Sequence, residues 1–166
     1  MLICESLLID YRTLALESFY LENNKSKITT SHGVYYSKMA PLDLLETACN
    51  RYASTMDGRK QAVIKLLNYY RKTPFLIIPF ELGVFPTMSP DHLDCVWIFN
   101  QRFEIDEYEK GKSILTFSNG TKIEVAASKH TLMKQQQRLH TIIDTYRMID
   151  RENNRILMHE TNRRER

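Results

Sequence analysis

The residues around Asn119-Gly120 constrain this chain more than any other stretch. Ile114, Thr116 and Ser118 alternate with Leu115 and Phe117 ahead of it, and Ile123 and Val125 follow it. Alternation with a period of two sends the two sets to opposite faces of a strand. Asn-Gly supplies the two positive-φ positions of a type I′ turn, whose twist matches that of two antiparallel strands. The spacing predicts a β-hairpin, so any fold for this chain must contain an antiparallel sheet.

Other stretches carry the same signal. Leu7-Leu8-Ile9, then Leu14, Leu16 and Phe19, read as strand, closed by a polar turn over 22–27. Gly33-Val34-Tyr35-Tyr36 is β-branched and aromatic, which suits a pleated surface. Residues 75–78 and 95–99 are short apolar runs, the second carrying the single tryptophan, and Phe103 and Ile105 alternate with charges. Phe85-Pro86-Thr87 and Ser89-Pro90 mark a loop.

Three helical patterns interrupt the strands. Pro41 opens the first, since its fixed φ and missing N–H are harmless at a first helical position, and Leu42, Leu45, Cys49 and Tyr52 share a face. Residues 54–58 stop it. Ala62, Val63, Leu66, Leu67 and Tyr70 predict a second helix from about Arg59 to Tyr70, ended by Pro74. Leu132, Leu139, Ile142, Ile143, Tyr146 and Ile149 stripe a third over about 131–149. Residues 151–166 are charged, with Ile156-Leu157-Met158 their one apolar group, and read as a fraying tail. The reading is an α+β domain over 1–150, mostly antiparallel strands with a C-terminal amphipathic helix, followed by that tail.

Charge narrows the partners. A net charge of +3 says little, but its distribution is uneven. No acid occurs over 58–80, which holds Arg59, Lys60, Lys65, Arg71 and Lys72. A second acid-free run ahead of Asp144 holds Lys129, His130, Lys134, Arg138 and His140. Between them lie Glu104, Asp106, Glu107 and Glu109. Segregated charge makes a directional field suited to a polyanion, although basic runs also occur as plain solvated faces.

Enzyme chemistry finds no foothold. Gly111-Lys112-Ser113 resembles the end of a phosphate-binding loop, but the glycine needed five positions earlier is Asp106 and a strand follows, not a helix. The five histidines lack the i, i+4 spacing of paired metal ligands. Asp91, His92 and Asp94 form a compact polar cluster that reads as a loop, with no nucleophile–base pair. Cys4, Cys49 and Cys95 show no CxxC spacing and read as reduced thiols of a cytoplasmic protein. Met1 lacks a cationic flank for a signal peptide, and residues 75–80 are too short to span a bilayer. A non-enzyme without cofactor, metal or membrane partner is expected.

One resemblance gives these features a direction. Val34-Tyr35-Tyr36, Pro41-Leu42, Cys49, Gly58-Arg59-Lys60, Lys72-Thr73-Pro74, Phe85-Pro86-Thr87, Ser89, Cys95-Val96-Trp97-Ile98 and Thr116-Phe117-Ser118-Asn119-Gly120 run in the order of the competence transcription factor (ComK) family. The chain resembles that family over about residues 32–146. The resemblance implies a transcriptional activator of DNA-uptake genes in Gram-positive bacteria. It would bind paired A/T-rich boxes in double-stranded promoter DNA as dimers that assemble further. The family's longer members end in a segment recognised by an adaptor of the Clp protease. Here only Ile156-Leu157-Met158-His159 echoes it distantly, which sets this chain apart at that contact. The helical pattern over 61–70 also departs from the strand-like stretch of the family.

Trp97-Ile98-Phe99-Asn100, Ser118-Asn119-Gly120 and the stretch over 125–129 are similar to the LytTR-type DNA-binding domain, which presents loops to DNA. In that domain residues just after the last hairpin strand touch DNA, which implies Ser128, Lys129 and His130 here. Arg59 and Lys60, after Gly58, are candidate phosphate contacts. Asn100, Gln101 and Arg102 are candidates at base edges, and Arg or Lys in a narrow minor groove is the alternative. With Lys72, Asn119, Lys134 and Arg138 these complete the DNA-binding set, while Lys65 and Arg71 read as surface. The third helix's stripe fits core packing better than a dimer seam, although tandem boxes demand self-association. The rival function is a protein-interaction regulator on the same fold without strong DNA binding.

Overall fold

The structure, a computed structural model, describes residues 9–166; Leu7 and Leu8 of the first predicted strand, and Cys4, lie outside them. The described residues form an α+β fold with mostly antiparallel strands, as expected. In chain order the elements are β1 (Thr13–Ser18), β2 (Ser26–Thr30), β3 (Gly33–Ser37), α1 (Pro41–Asn50), α2 (Met56–Leu67), β4 (Phe75–Ile78) and β5 (Leu82–Pro86). Then come β6 (Val96–Phe99), β7 (Phe103–Glu109), β8 (Lys112–Phe117), β9 (Lys122–Val125) and α3 (Lys129–Arg164). A six-stranded sheet has the order β3-β2-β1-β6-β5-β4, and a three-stranded sheet the order β7-β8-β9.

The large sheet is buried on both faces over β4, β5 and β6, while the edge strand β3 is partly exposed. Along β6, Val96 and Ile98 join a cluster with Leu115, Phe117, Ile123 and Val125 of the small sheet and Leu132, Leu139, Ile142 and Ile143 of α3. Trp97 and Phe99 join the opposite cluster, with Leu44, Leu45, Ala48 and Cys49 of α1 and Phe75, Ile77 and Val84. A strand hidden on both sides reads as an unbroken apolar run, which is why 75–78 and 95–99 show no alternation. The order of layers is α1, large sheet, then small sheet with α3.

Several expectations shift in detail. α1 buries Pro41, Leu44, Leu45, Ala48 and Cys49, while Leu42 and Tyr52 stay exposed. The spacing 41, 44, 45, 48 fits one face better than the set the larger side chains suggest. α2 starts three residues earlier than predicted, because the Thr55 hydroxyl accepts from the Gly58 N–H at 2.9 Å and caps the helix; Gly58 lies inside its first turn. It also ends sooner, at Asn68 in the left-handed region, leaving Tyr69 and Tyr70 in a loop. Part of the polar stretch over 22–27 is strand, since β2 begins at Ser26. Phe85 and Pro86 belong to β5, not to a loop. Phe75, the first residue of β4, pairs with Val84, so Pro86 extends past β4 and its missing N–H breaks no ladder there.

The hairpin is present, with Leu115 opposite Ile123 and Ser113 opposite Val125, but its turn differs from prediction. Gly120 alone has positive φ (87°); its N–H donates to the Phe117 carbonyl at 2.9 Å, as the Phe117 N–H does to Thr121. This is a three-residue loop closed by a left-handed glycine. Asn119 instead turns its side chain to the Thr121 N–H and to the Ser31 carbonyl.

α3 is 36 residues long, about 54 Å at 1.5 Å per residue. Its stripe of Leu132, Leu139, Ile142 and Ile143 is core, while Ile149 is exposed. Residues 151–164 continue the helix where a fraying tail was expected, with every side chain exposed. No glycine or proline follows Gly120, and Arg, Glu, Leu and Met propagate a helix readily. The helix seats against β5 at Gly83, where a Cβ would stand 2.5 Å from Leu139 Cδ1.

Candidate nucleic-acid interface

The α2–β4 loop and the first three turns of α3 face each other across an open groove of about 500 Å³. Asn68, Tyr70, Arg71 and Lys72 line one side; His130, Thr131, Lys134, Gln135 and Arg138 line the other. Among the described residues none of these lining side chains is acidic. Residues from both acid-free runs, some sixty positions apart in the chain, therefore meet on one surface.

Specific contacts hold the two sides together. Gln135 is buried, and its Nε2 donates to the Lys72 carbonyl at 2.8 Å and the Pro86 carbonyl at 3.0 Å. Arg138 Nη1 donates to the Arg71 carbonyl at 3.0 Å, and its guanidinium lies 4.7 Å from the Tyr69 ring centroid. That stacking is a cation–π contact, which suits the planar guanidinium. The Thr73 hydroxyl donates to the Tyr69 carbonyl at 2.6 Å. Lys72 sits at φ 48°, a conformation bulky residues avoid.

The start of α3 is occupied from within the chain. The Ser128 hydroxyl caps it by accepting from the Thr131 N–H at 3.2 Å, and the Lys129 N–H donates to a Glu107 carboxylate oxygen at 3.0 Å. The Lys129 N–H, with the Gly111 N–H, holds the Glu107 carboxyl below the usual glutamate range. A carboxylate thus answers the helix dipole where a phosphate would otherwise sit. Lys129 and His130 present exposed side chains beside the groove.

The other candidate residues lie apart. Arg59 donates from Nη2 to the Tyr52 carbonyl at 3.2 Å and lines a small apolar cleft with Ala62, Val63, Leu76, Pro79, Phe80 and Tyr146. Lys60 stands beside it on α2 and does not line the groove. Asn100 accepts from the Gly83 N–H at 2.8 Å and donates to the Glu81 carbonyl at 3.0 Å, pinning the β4–β5 turn. Gln101 donates to the Tyr11 carbonyl at 2.7 Å, and Arg102 is exposed next to it. Sequence reading passed over Tyr70 and Gln135 and set Arg71 aside as surface. The available signal was the polar-aromatic string Asn68-Tyr69-Tyr70-Arg71-Lys72 just past a helix end.

The segments that resemble catalytic or phosphate-binding motifs serve as turns and loops. Gly111 (φ 75°) turns the chain into β8, so Gly111-Lys112-Ser113 is a hairpin corner. His92 Nδ1 accepts from the Asp94 N–H at 3.1 Å within its loop. Burial pushes the Cys49 thiol up to about 11 and raises Cys95 as well, which makes both unreactive. Among the described residues no helix is long and apolar enough to cross a membrane.

Comparison with known proteins agrees with the resemblance. The competence transcription factor of Bacillus subtilis (strain 168) is 29% identical over 117 residues, which is 68% of this chain and 60% of that protein. The chain thus spans less than two thirds of that relative's length. No solved structure matches. The family model described as ComK protein matches residues 4–153, nearly the whole chain, and the chain belongs to that family.

Proposed function

We propose that this chain is a cytoplasmic, sequence-specific DNA-binding transcriptional activator of DNA-uptake genes that binds paired A/T-rich promoter boxes as dimers. One observation carries the DNA-binding part: cations from two distant acid-free runs line a single groove with no acid among its lining residues. Phosphate neutralisation supplies most of the affinity of such a protein, and Lys72, Lys129 and Lys134 are the exposed cations best placed for it. Family membership and the Bacillus subtilis competence transcription factor support the regulatory part. Self-association fits the distal half of α3, where Ile156, Leu157 and Met158 are each more than half exposed.

A salt titration of duplex binding tests the reading. Tight binding of an A/T-rich promoter duplex at low salt, weakening steeply as salt rises, is expected. Absence of binding at low salt overturns it and leaves the protein-interaction regulator.

A further inference from the structure

We infer that the α2–β4 loop, residues 68–72, is the element that reads base sequence, with Tyr70 and Arg71 entering a DNA groove and Gln135 positioning them. The inference rests on the proposed function and assigns roles within its site.

The loop is exposed, yet side chains of α3 and Thr73 hold its backbone. Asn68 is the ordinary left-handed cap of α2, while Lys72, at φ 48°, holds a conformation that long side chains avoid. Strained backbone of this kind persists only where surrounding contacts over-determine it, and it gathers at ligand-contacting sites. The contacts are present. Gln135 is 3% exposed and donates to Lys72; Arg138 grips the Arg71 carbonyl and stacks on Tyr69; Thr73 holds the Tyr69 carbonyl. A connection serving only to join a helix to a strand needs no buried amide to fix it. Tyr70 nevertheless stands 69% exposed at the lip of the groove, its hydroxyl 3.3 Å from Asn68 Oδ1. Fixing a backbone while leaving an aromatic side chain outside is how a site holds a probe in a defined position before contact.

The groove divides the work. Lys134 on α3 and Lys72 on the loop suit phosphates, whose contacts set register without reading sequence. Tyr70 and Arg71 pair an aromatic ring with a guanidinium, the groups that stack on, or donate to, bases. The candidate base-edge amides Asn100, Gln101 and Asn119 are engaged by backbone: Asn100 by Gly83 and Glu81, Gln101 by Tyr11, and Asn119 by Thr121 and Ser31.

The test measures affinity for an A/T-rich and a G/C-rich duplex of equal length, across salt, by fluorescence anisotropy. The wild-type chain is compared with Tyr70→Ala, Gln135→Met and Lys134→Ala. Lys134→Ala should weaken both duplexes by the same factor and make the salt slope shallower by about one. Tyr70→Ala should narrow the ratio between the duplexes at least about fivefold. Gln135→Met, which removes both donors at similar length, should narrow it likewise with its urea midpoint followed in parallel. If Gln135→Met does not fold, Tyr70→Ala, an exposed position, decides alone. A wild-type chain that discriminates, with Tyr70→Ala keeping the full ratio, overturns the loop assignment and leaves DNA binding standing. A wild-type chain that binds both duplexes equally also overturns it, as electrostatic binding without reading. Binding to neither duplex overturns the proposed function itself.

Discussion

Gly83 sits in β5 against α3, where any side chain would have to displace Leu139. An added Cβ would lie 2.5 Å from Leu139 Cδ1 and 3.1 Å from Leu76 Cδ2, both of them buried. Gly83→Ala should therefore destabilise by about 1–3 kcal/mol, the usual cost of overpacking, read as a lower urea midpoint at unchanged slope. Glu17, on β1 opposite Lys27, illustrates a different single-residue effect. Burial raises its carboxyl pKa, and the Lys27 charge opposes this only in part. A carboxyl whose pKa is raised by folding adds stability below its unfolded value, near 4.3, and loses it as pH rises through the folded value. Glu17→Gln should thus raise the urea midpoint at pH 7, and the gap to the wild-type chain should close below about pH 4. At this scale the sequence told residue type but not commitment. Asn100 and Asn119 look like free amides in a string of letters. Only the fold shows that backbone groups from residues 81–83 and from Ser31 meet them.

Elements were more legible than their ends. The three helices and most strands follow from period and punctuation, because burial of one face leaves its spacing in the chain. The boundaries that moved are those decided by a single hydrogen bond, as at Thr55, or by a neighbouring strand's length, as at Pro86. The tail over 151–166 misled for a related reason. Without an apolar stripe it carries no packing signal, yet a run free of glycine and proline and rich in Arg and Glu lets α3 propagate from its packed half. That helix leads to a test. Removing residues 151–166 deletes only exposed side chains, so the thermal midpoint should hold within a few degrees. Light scattering should then show lost self-association if Ile156, Leu157 and Met158 mediate it. A variant that still associates fully assigns the seam elsewhere.

For the molecule as a whole, residues from two acid-free runs of the chain meet at one groove, and that has a measurable consequence. If Lys72, Lys129 and Lys134 each neutralise one phosphate, log affinity should fall against log salt with a slope near −2.7, roughly a fortyfold loss between about 50 and 200 mM. A flat response would exclude a phosphate-dominated interface. Sequence reading anticipated that two basic runs would bear on one partner, and the groove brings parts of both together. It did not anticipate that Arg59 and Lys60 would fall outside the groove. They lie on α2, ahead of the turn that delivers Arg71 and Lys72, and where a helix ends is settled by the left-handed Asn68.

The large sheet separates two apolar interiors, and the one tryptophan belongs to the interior under α1. Trp97 is 2% exposed and lies edge-on to Phe75, with their ring centroids 5.8 Å apart. Its emission therefore watches the side of the protein away from the groove. Partial opening that lifts α3 would dismantle the groove while leaving the indole's surroundings intact, so fluorescence would look native in a molecule already unable to hold a duplex. Far-ultraviolet circular dichroism, which counts helical residues, would register that opening wherever the lifted helix unwinds.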